Sequence, residues 1–303
     1  MNKRAAWLAV IALLVLPFQF PALMAQDPQS GHGSPEPPKA GVQLTRGQAA
    51  QKRGGPPTPN MSWHGGPVIH GTAAVTPIFW GSSWGNAIFA GDKIEGIVSF
   101  YDGFGGSAYA GTNTEYTDGS GKTSSAVLSY PYKFDLSQGP SNGNTTTPIL
   151  AEVCKVVPNP ISGGYYPVYV DTPRGSAGFC AWHSAGSCNG VPIQFAFFFN
   201  LDGDAACSPG GSTGSYQSGH TNSQGLAAVA NVSGHELSEM LTDPRLNAWY
   251  DSSGSENADK CAWTFGSSLL TLKNGSTWKI QGNWSNAAYS NTSGYTRGCI
   301  DGN

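Results

Sequence analysis

The stretch from Ser223 to Asp243-Pro244 constrains the chain most. Leu226, Val229, Ala230, Ser233, Leu237, Met240 and Leu241 recur with the helical period and predict a helix over about 223–241, ended by Asp243-Pro244. That face is mostly apolar and belongs against a core. His235 and Glu239, four residues apart, share a different face, nearly opposite. Such a helix buries one side and aims two metal-ligating groups into a cleft.

His235-Glu236-Leu237-Ser238-Glu239 is similar to the zincin His-Glu-x-x-His helix, with Glu in place of the second His. Imidazole and carboxylate both bind Zn2+. Glu236, a quarter-turn away, is placed to take a proton from water whose pKa a zinc ion lowers. The implied reaction is hydrolysis of a carbonyl compound, most simply a peptide bond. A third ligand is expected downstream, where Asp251, Glu256 and Asp259 fall within nine residues. Glu256, 17 residues after Glu239, is preferred, with Asp251 as the alternative. The plainer readings are a solvated acidic helix end followed by an Asp/Ser/Gly surface turn, or an oxygen-rich loop for an additional Ca2+. The strict EF-hand spacing is absent.

The chain around this helix has 303 residues, with 41 glycines, 21 prolines and only 12% charged residues. That balance favours short strands, turns and ordered loops over a helical bundle. A formal charge of −3 argues against a nucleic-acid partner. Strands are expected at 75–80, with Pro77 hinting at a sheet edge, and at 165–170, 192–200 and 277–284; further helices are expected at 92–104 and 146–157. The fold class is α+β: a mixed sheet with packed helices, loop-rich and disulfide-stabilised.

Met1 to Ala25 has a basic start, an apolar run and a small-residue exit, the pattern of a signal peptide. The run is too short to span a bilayer comfortably, so no stable membrane insertion is expected after cleavage. Residues 26–60, rich in Pro, Gly and Gln, read as a flexible tether or a removable pro-segment, and 61–303 as one domain, most simply a monomer. Six cysteines, all after residue 150, fit three disulfides in a secreted, extracellular or periplasmic protein. Cys261 with Cys299 is the preferred pair; Cys180 with Cys188 or Cys207 follows.

Other groups carry weaker signals. His183 is a candidate for orienting substrate or donating to an oxyanion, against a plain backbone hydrogen bond in a tethered loop. His220, His64 and His70 are lesser candidates for the cleft. Trp249-Tyr250 can line a substrate groove or simply pack under a loop. The full Gly-x-x-x-x-Gly-Lys-Ser/Thr phosphate-binding loop does not occur. A glycan at the Asn231 sequon would obstruct the cleft, which favours a bacterial source.

Several motifs together resemble the phosphate-induced protein 1 (EXORDIUM-like) family. They are Trp63-His64-Gly65-Gly66-Pro67, Ile78-Phe79-Trp80-Gly81, Thr112-Asn113-Thr114-Glu115-Tyr116, Phe179-Cys180-Ala181-Trp182-His183, Ser233 to Glu239 with Asp243 to Tyr250, and Glu256 to Cys261. The resemblance spans about 60–303 and implies a secreted protein, linked in plants to the cell wall and growth. Two functions are therefore expected in order. The first is a zinc-dependent hydrolase, a metallopeptidase-like enzyme acting on polypeptide, with His235, Glu239 and Glu256 or Asp251 as ligands and Glu236 as general base. The second is a non-catalytic extracellular domain binding cell-wall polymer or carbohydrate, with a structural metal or acidic loop.

Overall fold

Two runs rich in aromatic and β-branched residues, Tyr165–Val170 and Ile193–Phe199, are buried along their whole length, as strands covered on both faces must be. They lie in neighbouring parallel strands at the centre of an eight-stranded mixed sheet. In chain order its strands are β1 (Ala40–Leu44), β2 (Ala73–Val75), β3 (Ile78–Trp80), β4 (Val127–Ser129), β5 (Lys133–Asp135), β6 (Tyr165–Pro173), β7 (Phe179–Cys188) and β8 (Val191–Asn200). The order across the sheet is β1-β7-β8-β6-β2-β4, with β3 between β6 and β5. The pairs β1/β7 and β7/β8 are antiparallel and the rest parallel. The computed structural model describes residues 36–52 and 60–303. The expected signal peptide and the remainder of the expected tether, 26–35 and 53–59, lie outside the described residues.

The α+β class holds, with seven helices and a mixed sheet among the described residues. The main helices are α1 (Arg46–Lys52), α2 (Lys93–Phe104), α3 (Thr147–Val156) and α4 (Gln224–Thr242). Consecutive residues of β7 point to opposite faces. The face carrying Trp182 and Gly186 meets α3: a Cβ on Gly186 would lie 2.8 Å from Leu150. The face carrying His183 meets α4, which packs across β1, β7 and β8 with α2 alongside. At the start of α4 the Ser223 hydroxyl accepts from the Leu226 N–H, and Asp92 in turn accepts from Ser223. Asp243 leaves helical backbone geometry at the far end, just before Pro244.

Three expectations change. Pro77 does not mark an edge: the chain breaks at Thr76-Pro77 into β2 and β3, and β3 is interior to the sheet. The last expected strand is two short ones, Thr277–Trp278 and Asn283–Trp284. The described part of the tether, 36–52, is folded into the same compact unit as the rest, as β1 and α1. Its composition hid this because β1 offers only Val42 and Leu44 to the core, both half-buried.

Disulfides Cys154–Cys188, Cys180–Cys207 and Cys261–Cys299 account for all six cysteines. The first two pin β7 at both ends. Closing loops of this length restricts the unfolded chain by about 3–4 kcal/mol each. Among the described residues no helix is long and apolar enough to cross a membrane.

Candidate metal centre

Helix α4 is buried on every face from Gly225 to Thr242. Its polar side chains therefore need partners inside the protein. Gly234 makes the packing possible, since a Cβ there would lie 2.8 Å from Ile280. His235 and Glu239 do share a face, with His235 Nε2 3.1 Å from Glu239 Oε2. Opposite them stands His183 from β7, its Nε2 3.6 Å from the same Oε2. The loop after α4 adds Glu256, 3.3 Å from His183 Nε2, and Asp259, 3.7 Å from His235 Nε2. The Asp259 N–H donates to Glu239 Oε1 at 2.8 Å, which leaves Oε2 aimed at both imidazoles.

Two donor sets result, His183–Glu239–Glu256 and His235–Glu239–Asp259, joined at Glu239. The contacts of 3.1–3.7 Å match the donor separations of about 3.3–3.6 Å around a tetrahedral ion with bonds near 2.0–2.2 Å. Both ring nitrogens of His183, His235 Nε2, Glu239 Oε2, Glu256 Oε2 and both Glu236 oxygens are buried with no hydrogen-bond partner. Buried polar atoms are otherwise almost always paired. Such a convergence of orphaned imidazole and carboxylate atoms fits a divalent cation.

Electrostatics point the same way. Burial holds His183 below its ordinary pKa, against the pull of Glu239, Asp243 and Asp259. Burial takes His235 down to about 4, so the neutral form prevails. Burial raises Glu239 and Asp259 to about 7, and Glu236 and Glu256 well above their ordinary range. A doubly charged ion reverses that penalty and restores the carboxylates.

Sequence reasoning and structure part company at several residues. Asp251 is not among the donors: its Oδ2 accepts from Lys260 Nζ at 2.8 Å and its Oδ1 from the Ser253 and Ser255 N–H groups. The lysine satisfies the charge that a metal would otherwise take. His220 pairs with Asp92, His70 with Asp118, and His64 stacks on Tyr250 at 3.6 Å, all outside both donor sets. Trp249 donates to the Thr117 carbonyl and packs on Tyr116. Asn231 is fully buried, its Oδ1 accepting from the Gln281 N–H, which leaves no room for a glycan in the folded protein.

His183, expected as a group that orients substrate, stands among the groups that could hold a metal ion. The available signal was period-two alternation in Cys180-Ala181-Trp182-His183, which puts His183 on the face away from Trp182. Gln281 has no sequence signature at all. Its Nε2 donates to the Ala258 carbonyl at 2.8 Å and lies 3.0 Å from His235 Nδ1, while its Oε1 accepts from the Trp263 N–H. With the amide nitrogen toward Nδ1, the neutral ring keeps its proton on Nε2. Ligation through Nε2 calls for the proton on Nδ1 and an acceptor facing it.

Among the described residues no open cleft leads to the donors. Every donor is buried or nearly so, because β1 lies across the cluster with Gly41 against Glu239 and His183.

No family profile and no curated protein matches the chain. A solved structure titled "Structure of a chaperone-substrate complex" aligns with 55% of this chain and 23% of that one, at 13% identity and a TM-score of 0.25. The chain thus spans about a quarter of that protein.

Proposed function

We propose that this protein is an exported zinc-dependent hydrolase of polypeptides, with His183, His235, Glu239, Glu256 and Asp259 holding the metal and Glu236 as general base. The observation that carries the reading is the set of buried, unpartnered imidazole and carboxylate atoms meeting at Glu239 Oε2. Two histidines with carboxylates favour zinc over the hard, oxygen-only cations. Bound there, the ion supplies a Lewis acid for a substrate carbonyl and lowers the pKa of water.

Glu236 belongs to no metal-donor set, and both its oxygens lack a partner. Burial and the carboxyls of Glu239, Asp259 and Glu256 raise its pKa, which suits a group that takes a proton from water and passes it to the leaving nitrogen. Three disulfides and no free cysteine support an oxidising, extracytoplasmic setting. The EXORDIUM-like resemblance carries the same setting.

A structural ion in a non-catalytic cell-wall-binding domain is the second reading, favoured by the burial of every donor. Elemental analysis and Glu236→Gln separate them. The hydrolase reading expects about one zinc or more per chain, kept by Glu236→Gln, with hydrolysis falling at least about 100-fold. Zinc that stabilises both proteins alike, with Glu236→Gln indifferent in function, selects the structural ion. Less than about half an equivalent in metal-replete protein sinks both.

A further inference from the structure

We propose that residues 40–44 occupy the substrate groove of this centre as an internal strap, and that the groove takes an extended polypeptide paired antiparallel with β7, with glycine over Glu239. This rests on the metal-centre reading and names its substrate class and its regulation.

β1 is the last strand of the sheet on this side, and its pairing is irregular. Ala40 faces His183, Gln43 faces Ala181 and Leu44 faces Phe179, with register shifts on both sides of Gln43. A strand buried for stability turns apolar side chains inward. Here the fully buried residues are Gly41 and Gln43, while Val42 and Leu44 are only half-buried. The inward face of β1 thus meets the donor cluster with bare backbone and a carboxamide.

Gly41 has a positive φ of 49°, and a Cβ on it would lie 1.9 Å from Glu239 Oε2 and 2.4 Å from His183 Nε2. No other residue passes this point without displacing the donors. Gln43 Nε2 donates to Gln281 Oε1 at 3.1 Å, so the strap also touches the residue beside His235. Polar contacts fix its flanks: Ser184 Oγ donates to the Pro38 carbonyl, the Thr45 N–H to the Gly178 carbonyl, and Trp263 Nε1 to the Leu44 carbonyl. Main-chain pairing with small side-chain demands is how separate peptides add to a sheet edge. No cysteine precedes Cys154, so no disulfide ties the strap to the domain.

The test uses the full chain with residues 54–59 replaced by the recognition sequence of a site-specific endoprotease. A fluorescent synthetic peptide of residues 36–52 is offered to the uncut and cut forms, and zinc content is measured in each. The cut form is expected to exchange its strap for the labelled peptide, whereas the uncut form takes up none. A peptide carrying Gly41→Leu should bind at least 100-fold more weakly. Casein hydrolysis should rise at least 10-fold on cutting and fall again with excess native peptide. In the uncut chain, Gly41→Leu should speed amide hydrogen exchange across 40–44 by at least 100-fold.

No exchange in the cut form, or equal binding of the two peptides, overturns the strap, whatever the zinc content. Full zinc with either result leaves the metal centre standing and removes only this inference. Peptide exchange with glycine selectivity but no zinc keeps the groove and removes the hydrolase reading. If Gly41→Leu does not fold, the cut wild-type chain and the two peptides still decide.

Discussion

Lys260 Nζ bonds Asp251 Oδ2 at 2.8 Å with both side chains almost wholly shielded from water. The ammonium also sits 4.5 Å from the centre of the Trp284 ring. This pair takes one of the acids in the sequence cluster out of the candidate metal centre and uses it to fix the loop that carries Glu256 and Asp259. Removing one partner leaves the other buried and uncompensated. Lys260→Met should therefore cost about 3–5 kcal/mol in urea unfolding, whereas zinc bound per folded chain should not change. A loss of zinc affinity in folded Lys260→Met beyond about 10-fold would show that the loop cannot hold Glu256 and Asp259 in place without this pair.

Glu239 is the one donor common to both sets, so the substitutions should not be equivalent. Glu239→Gln is expected to weaken zinc at least about 100-fold, and Glu256→Gln or Asp259→Asn about 10-fold each. Chelator competition at constant pH reads the difference. Equal losses for all three would mean that Glu239 has no shared role. In wild-type protein, chelation should also lower the thermal midpoint, because an ion bound only by the folded state stabilises it by mass action.

Much of this arrangement was readable from local pattern. The period of Leu226, Val229, Leu237 and Leu241 placed α4 within a residue or two at each end, and the apolar runs at 165–170 and 192–200 placed the central strands. Cys261–Cys299 was the preferred pair and is formed. What escaped was held by contacts distant in sequence. His183 shows no metal-ligand spacing to the helix motif, and its place beside His235 and Glu239 depends on β7 passing over α4. The expected apolar and polar faces of α4 do not differ in burial, because β1 and the loop after the helix cover the polar side. β1 itself was hidden in a tether-like composition, since a glycine beneath main-chain pairing leaves no hydrophobic trace.

Gln281 offers a sharper test of how the ligands are held. Its amide nitrogen faces His235 Nδ1, whereas a ligating imidazole usually donates from that nitrogen to an acceptor. Gln281→Glu supplies the acceptor and adds negative charge beside the ion. Zinc affinity should rise about 10-fold in chelator competition, with the rise shrinking as the new carboxylate is protonated at low pH. A fall in affinity in a folded variant would show that the amide's bonds to Ala258 and Trp263 matter more than the proton on the ring.

Away from the centre, the Asp135 and Glu152 carboxyls both face Lys155. Burial and the neighbouring Asp135 raise Glu152 to about 7, with Lys155 at 3.2 Å opposing the rise. Asp135 is held well below its ordinary range by its hydrogen bond to Glu152 and by Lys155. A carboxyl whose folded pKa lies above its unfolded value near 4.5 contributes stability that is full below that value and lost as pH rises through about 7. Wild-type protein should therefore lose stability between pH 5 and 8 at this site, and Glu152→Gln should not. Lys155 is more than half exposed, so solvent screening reduces the effect. Relative to wild type, Glu152→Gln is expected to gain about 1–2 kcal/mol more at pH 8 than at pH 5 in urea unfolding. A gain that is the same at both values would mean that Glu152 ionises freely in the folded protein and that Lys155 alone balances the pair.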